Sequence, residues 1–183
     1  MRGVLLLAGA FVVSAIGASS AVQQKTPADS AELRRLKDED QADRQAKVID
    51  WKVVTPRDRA RLARVKELYA TGAIRTGEDY YHAALVLQHS ELTEDFLLAH
   101  EFCVAAMMLG KNDVESSSLG AAAEDRFLMT IGRGQRFGTQ YEPDGRGSLQ
   151  LYRVEDGVTD ELRKVMELPS LSDATARAAD LAK

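Results

Sequence analysis

Cysteine occurs once in the 183-residue chain, at Cys103, which excludes a disulfide framework and any cysteine-only zinc site. Proline occurs four times, tryptophan once, and aromatic residues make up only 6% of the chain. With three histidines in all, chemistry that needs an imidazole must draw on His82, His89 or His100. A basic excess is missing as well. The 24 Lys and Arg against 28 Asp and Glu leave a formal charge of -4, and a nucleic-acid partner would need a concentrated basic surface. What is present is 45% hydrophobic and 28% charged residues, the mix of a folded globular protein with the length of one ordinary domain.

Charge is also unevenly placed. Arg2 is followed by no further charge until Lys25. Between them Val4 to Ile16 is almost wholly apolar, interrupted only by small residues such as Gly9 and Ser14. Ser19 and Ala21 then stand where a peptidase would cut before Val22, so residues 1–21 read as a secretory signal peptide. The apolar core of about 13 residues is short of the roughly 20 that span a bilayer. The expectation is a bacterial-type exported protein, periplasmic or secreted, with no stable membrane span after cleavage. No cysteine follows the apolar stretch to take a lipid anchor. Cys103 would then sit unpaired in an oxidising compartment, so its burial is expected.

Residues 22–54 read as a charged linker and helix. Glu32 with Arg35 and Asp40 with Arg44 are spaced to pair across helical turns. Leu33, Leu36 and Ala46 offer only a thin apolar stripe, and the rest reads as a solvated face. Residues 55–183 read as one helical domain. Thr55-Pro56 suits a helix start, and Gly72 a stop. Thr76 caps the next helix, with Glu78 and Asp79 in its first turn. Thr93 opens a segment ending at Gly110, and Asn112 or Asp113 opens one ending at Gly132. Gln135 to Tyr141 has strand-forming residues, Pro143 to Gly147 a turn, and Ser148 to Val154 alternates, giving a β-hairpin near 135–154. Thr159 caps a short helix broken at Pro169, and a polar helix closes the chain. The fold class expected is mainly α, antiparallel helical hairpins with a small late β-hairpin.

The segment 94–109 is apolar nearly all round and is expected inside the domain, yet His100 and Glu101 fall in its middle. A buried carboxylate without a partner is costly. Folding this segment against 77–89 near Glu91 sets His82 level with His100, and folding the next connection near Lys111 brings Asp125 within about one turn. His82, His100, Glu101 and Asp125 are therefore the candidate catalytic layer, and His82, His100 and Glu101 the candidate ligands of a divalent metal. His89, about 10.5 Å of helix rise from His82, is a poor member. A structural network, metal binding and metal-free acid–base chemistry all remain open. No His-Glu-x-x-His spacing is present, since Val104 occupies the position four after His100. Ser116-Ser117-Ser118 lacks a nucleophile elbow, and Gly132-Arg133-Gly134 follows a helix and precedes a strand, the reverse of a dinucleotide turn.

From Asp79 onward the chain resembles an uncharacterised bacterial domain family, often exported and known only as a domain of unknown function. The pieces that carry the likeness are Ala83 to His89, Ala121 to Leu128 with its Asp125-Arg126 pair, and Gln135-Arg136-Phe137-Gly138-Thr139-Gln140. Thr159 to Arg163 and Leu168 to Leu171 add to it. The resemblance implies no activity, cofactor or substrate. Physically, Arg126, Gln135, Thr139 and Gln140 are candidate ligand-binding groups, since they place amides, a hydroxyl and a guanidinium beside a glycine. The alternative is that they pin the hairpin to the helices.

The functional expectation is an exported helical binding or interaction module whose partner is a protein or a polar small ligand. A hydrolase-like enzyme using the His/Glu/Asp layer, metal-dependent or not, is the alternative. No organic cofactor is expected, and a divalent metal belongs to the alternative only.

Overall fold

The glycines, and the side-chain caps of three of the helices, cut the chain where the sequence places them. The computed structural model describes residues 27–181, and within them lie seven helices and two short strands. The signal-peptide reading over 1–21 falls outside the described residues. Helix α1 spans Ala31–Arg44, α2 Trp51–Ala70, α3 Gly77–Leu87, α4 Thr93–Met108 and α5 Val114–Thr130. Strands β1 (Tyr141–Pro143) and β2 (Leu149–Leu151) pair antiparallel, followed by α6 (Asp160–Val165) and α7 (Leu171–Leu181). The chain is thus mainly helical with a small antiparallel sheet late in its course. Among the described residues no helix is long and apolar enough to cross a membrane.

Helix α4 has no side-chain cap, since Thr93, expected to cap it, lies inside the helix and Leu92 is its N-cap; the caps expected at Thr76, Asp113 and Thr159 each have a partner. Thr76 accepts from the Asp79 amide and Asp79 reaches back to the Thr76 amide, a reciprocal capping box. Asp113 accepts from the Ser116 amide at 2.9 Å and Thr159 from the Leu162 amide at 3.3 Å. Helix α4 packs between α3 and α5, while α1 and α2 cover α3. Leu33, Val65, Leu87, Phe102, Cys103 and Ala123 belong to the shared core. Gly120 makes the α4–α5 approach possible, because a side chain there would put its Cβ 3.2 Å from the Cys103 Cβ. Cys103 is fully buried, as its apolar setting implies, and burial pushes its thiol pKa up to about 12.

Four further expectations are corrected. Helix α2 starts at Trp51, capped by Asp50, so Pro56 lies inside it and does not open it. Helix α4 is not buried all round: Leu97, Glu101, Val104 and Met108 form an exposed stripe, and its buried face is Asp95, Phe96, Ala99, Phe102, Cys103 and Ala106. Gln135 to Gln140 is not a strand but a loop, for a reason given below. The charged α1 is not simply a solvated face either. Leu33 and Leu36 are buried as its stripe requires, but so is Asp40, at 1% exposure.

Asp40 survives burial because it sits in an ion network joining α1, α2 and the end of α3. Arg44 reaches Asp40 at 3.0 Å and Asp58 at 2.8 Å; Arg61 reaches Asp58 at 2.6 Å and Asp43 at 2.9 Å. Arg57 adds a second cation to Asp43, and the His89 imidazole contacts Asp40 at 3.0 Å. Burial alone would raise the Asp58 and Asp43 carboxyls, but the guanidinium hydrogen bonds outweigh it and hold both below their ordinary value of 3.8. A carboxyl lowered on folding contributes stability that is present above about pH 4 and lost as pH falls through the folded value. Replacing Arg61 by Met strips buried carboxylates of a cation, which should cost about 3–5 kcal/mol in urea unfolding. The acid-unfolding midpoint of R61M should also rise above that of the native chain. A variant within about 1 kcal/mol of the native protein would show the network to be surface decoration.

Candidate functional site

The loop from Gln135 to Gln140 is organised by a single carboxylate. Asp125, on α5 and fully buried, accepts from the Arg136 amide at 2.7 Å and the Phe137 amide at 2.9 Å on one oxygen. Its other oxygen accepts from the Thr139 amide at 3.0 Å and the Thr139 hydroxyl at 2.8 Å. Three amides cannot face one carboxylate and also serve a strand, so the β-prone residues here form a loop. Gly138, at φ 71°, supplies the left-handed step that reverses the chain between Phe137 and Thr139.

Gln135 closes the loop from inside. Fully buried, it donates through Nε2 to the Gln140 carbonyl at 3.0 Å and the Tyr152 carbonyl at 2.8 Å, and accepts from the Gln140 amide at 2.9 Å. The Gln140 side chain in turn donates to the Thr139 hydroxyl at 2.9 Å. Gln135, Thr139 and Gln140, three of the four residues read as ligand-binding, are therefore spent on the loop itself. Arg126 is different. Its Nε donates to Gln140 Oε1 at 3.0 Å and its Nη1 to the Gln88 carbonyl at 2.5 Å, with no carboxylate on it among the described residues. Burial, and then the like charge of Arg44, push its pKa down.

The proposed catalytic layer is not assembled. His82, on α3 and 5% exposed, lies beside α1: Glu78 is 3.6 Å from its Nε2, and Lys37, Arg34 and Asp38 contribute to its field. Desolvation, with Lys37 and Arg34, outweighs Glu78 and keeps its pKa below the ordinary 6.5. Its Nδ1 is buried without a hydrogen-bond partner. His100 turns the other way and bonds the Gly120 carbonyl of α5 at 3.0 Å. Glu101, expected buried, is exposed, because the apolar residues flanking it on that face of α4 are exposed too. Asp125 has both oxygens committed to the loop. Among the described residues no group of three or more His, Cys, Asp or Glu side chains could hold a metal ion, His82, His100 and Glu101 included.

The site that sequence reasoning missed is a cleft of about 710 Å³ between α2 and the connection from α3 to α4. Trp51, Leu62, Leu92 and Phe96 are its apolar lining, and Arg44, Arg59, Lys66, His89 and Arg126 its basic one. Asp58, Glu91 and Asp95 are the acids, each near a cation: Arg44 at 2.8 Å, Arg59 at 3.9 Å and Lys66 at 2.7 Å respectively. The usable signal was Trp51, the chain's one tryptophan, standing in a segment read as linker, where it remains 57% exposed.

Removing the Asp125 carboxylate orphans three backbone amides and a hydroxyl in a buried setting, at about 1–3 kcal/mol for each unsatisfied group. Asp125→Ala should therefore lose upwards of about 3 kcal/mol, and Asp125→Asn less, since an amide oxygen still accepts two of the four bonds. Urea unfolding of both variants checks this ordering; equal and small losses would contradict it. No protein-family model, no curated protein and no solved structure matches the chain.

Proposed function

We propose that this protein is a non-catalytic binding module acting outside the cytoplasm, and that it takes its ligand in the cleft bounded by α2 and the α3–α4 connection. The observation that carries this reading is the cleft itself. Its volume of about 710 Å³ lies inside the roughly 300–1,000 Å³ typical of small-molecule sites, and it combines apolar walls with a few convergent polar groups. The place of action rests on the leader-like pattern of residues 1–21 and on the resemblance to an often-exported family. The hydrolase-like alternative draws no comparable support. Its residues face different neighbours, and Asp125, its one fully buried carboxylate, has no lone pair left for a proton or a substrate.

A library of small amphipathic compounds screened by chemical-shift perturbation tests the reading. The hits should cluster on the Trp51 indole and on the amides of Ser90, Glu91 and Leu92, which line the cleft. Hits scattered over the surface, or gathered around His82 and His100 instead, would contradict it.

A further inference from the structure

The ions around the cleft are balanced except at one place. On its walls, Arg44, Arg59 and Lys66 answer Asp58, Glu91 and Asp95. Behind it, Arg57 and Arg61 answer Asp43, and Asp40 is shared by Arg44 and His89. Among the described residues, Arg126 alone of these cations has only neutral partners, the Gln140 side-chain oxygen and the Gln88 carbonyl. Those two bonds occupy Nε and Nη1, leaving the Nη2 donors without a partner among the described residues. A guanidinium stays charged at any ordinary pH. A part-buried cation with no counter-ion is costly, and the depressed pKa of Arg126, from burial and from Arg44, reflects that cost.

We propose that the cleft binds an amphipathic monocarboxylate, its headgroup seated on Arg126 and its apolar body against Trp51, Leu62, Leu92 and Phe96. This rests on the cleft being the binding site, and it adds the chemistry of the ligand. One unanswered positive charge calls for one negative charge. A dianionic phosphate would bring a second that no free cation on the cleft wall answers. The planar guanidinium suits a carboxylate, and its two remaining polar contacts hold it in place before the ligand arrives. The four apolar side chains supply the area that a hydrocarbon body would remove from water.

Trp51 makes the test direct, because its fluorescence is the chain's only indole signal and it lines the cleft. Octanoate, 1-octanol and octyl phosphate are titrated into the full chain while Trp51 emission is followed. Octanoate should saturate the signal, binding about ten-fold or more tighter than 1-octanol and tighter than octyl phosphate. Arg126→Gln, whose amide nitrogen stands where Nε stands and can still donate to Gln140 Oε1, should lose about that factor for octanoate and leave 1-octanol unchanged. Lys66→Gln, which removes a cation already paired with Asp95, should change the octanoate affinity little. Equal binding of octanoate and 1-octanol, or tighter binding of octyl phosphate, overturns the monocarboxylate while leaving the cleft as a binding site. Absence of any Trp51 response overturns both. The comparison of the three ligands on the native chain decides the matter even if R126Q fails to fold.

Discussion

The Asp125 carboxylate fixes more of this structure than any other group. Four donors from one short loop converge on it, three of them main-chain amides. Such a convergence sets both the path of the loop and its position against α5, because every bond runs between the helix and the same few residues. The β1–β2 hairpin grows out of the end of that loop and carries α7 on β2. Arg163 on α6 donates to the Arg136 and Phe137 carbonyls, so the C-terminal part is tied to the opposite side of the same turn.

The consequence for the cleft is one of position. Asp125 holds Thr139, Thr139 accepts from Gln140, and the Gln140 side-chain oxygen accepts from Arg126. Arg126 stands next to Asp125 on α5 and crosses to the Gln88 carbonyl just past the end of α3. A network anchored on the fully buried Asp125 and Gln135 thus ends, through half-buried Thr139 and Gln140, in a cation on the cleft wall. The two functions considered for these polar residues, holding the hairpin and holding a ligand, divide between them: the glutamines, Thr139 and Asp125 belong to the first and Arg126 to the proposed second. The ion network of Asp40, Asp43, Asp58, Arg44 and Arg61 closes the other wall and keeps its charges to itself.

Local signals were legible in the sequence where their partners are local. Thr76, Asp113 and Thr159 cap helices because the amides they accept from lie three residues on. Cys103 is buried because its neighbours on α4 at the same face are Ala99 and Ala106. Reading failed where the deciding partner is distant. Loop 135–140 has the residues of a strand, but its amides answer a carboxylate 11 to 14 positions earlier. Asp40 reads as one more charge in a solvated run, and only the approach of α2 and His89 makes it a buried one. Glu101 misled for the opposite reason: exposed Leu97, Val104 and Met108 imitate a core stripe around a residue that faces water.

The linkage from the Asp125 loop to the cleft is the central claim, and Thr139 is the residue through which to break it. Its hydroxyl donates to Asp125 and accepts from Gln140, and it does not line the cleft. Thr139→Val keeps the side-chain shape and the Thr139 amide bond while removing both hydroxyl contacts. The octanoate affinity of T139V, read from Trp51 emission, should fall several-fold with 1-octanol binding unchanged, as Gln140 loses its hold on the Arg126 guanidinium. An octanoate affinity equal to that of the native chain, in a variant that still folds, would show that the loop does not position Arg126.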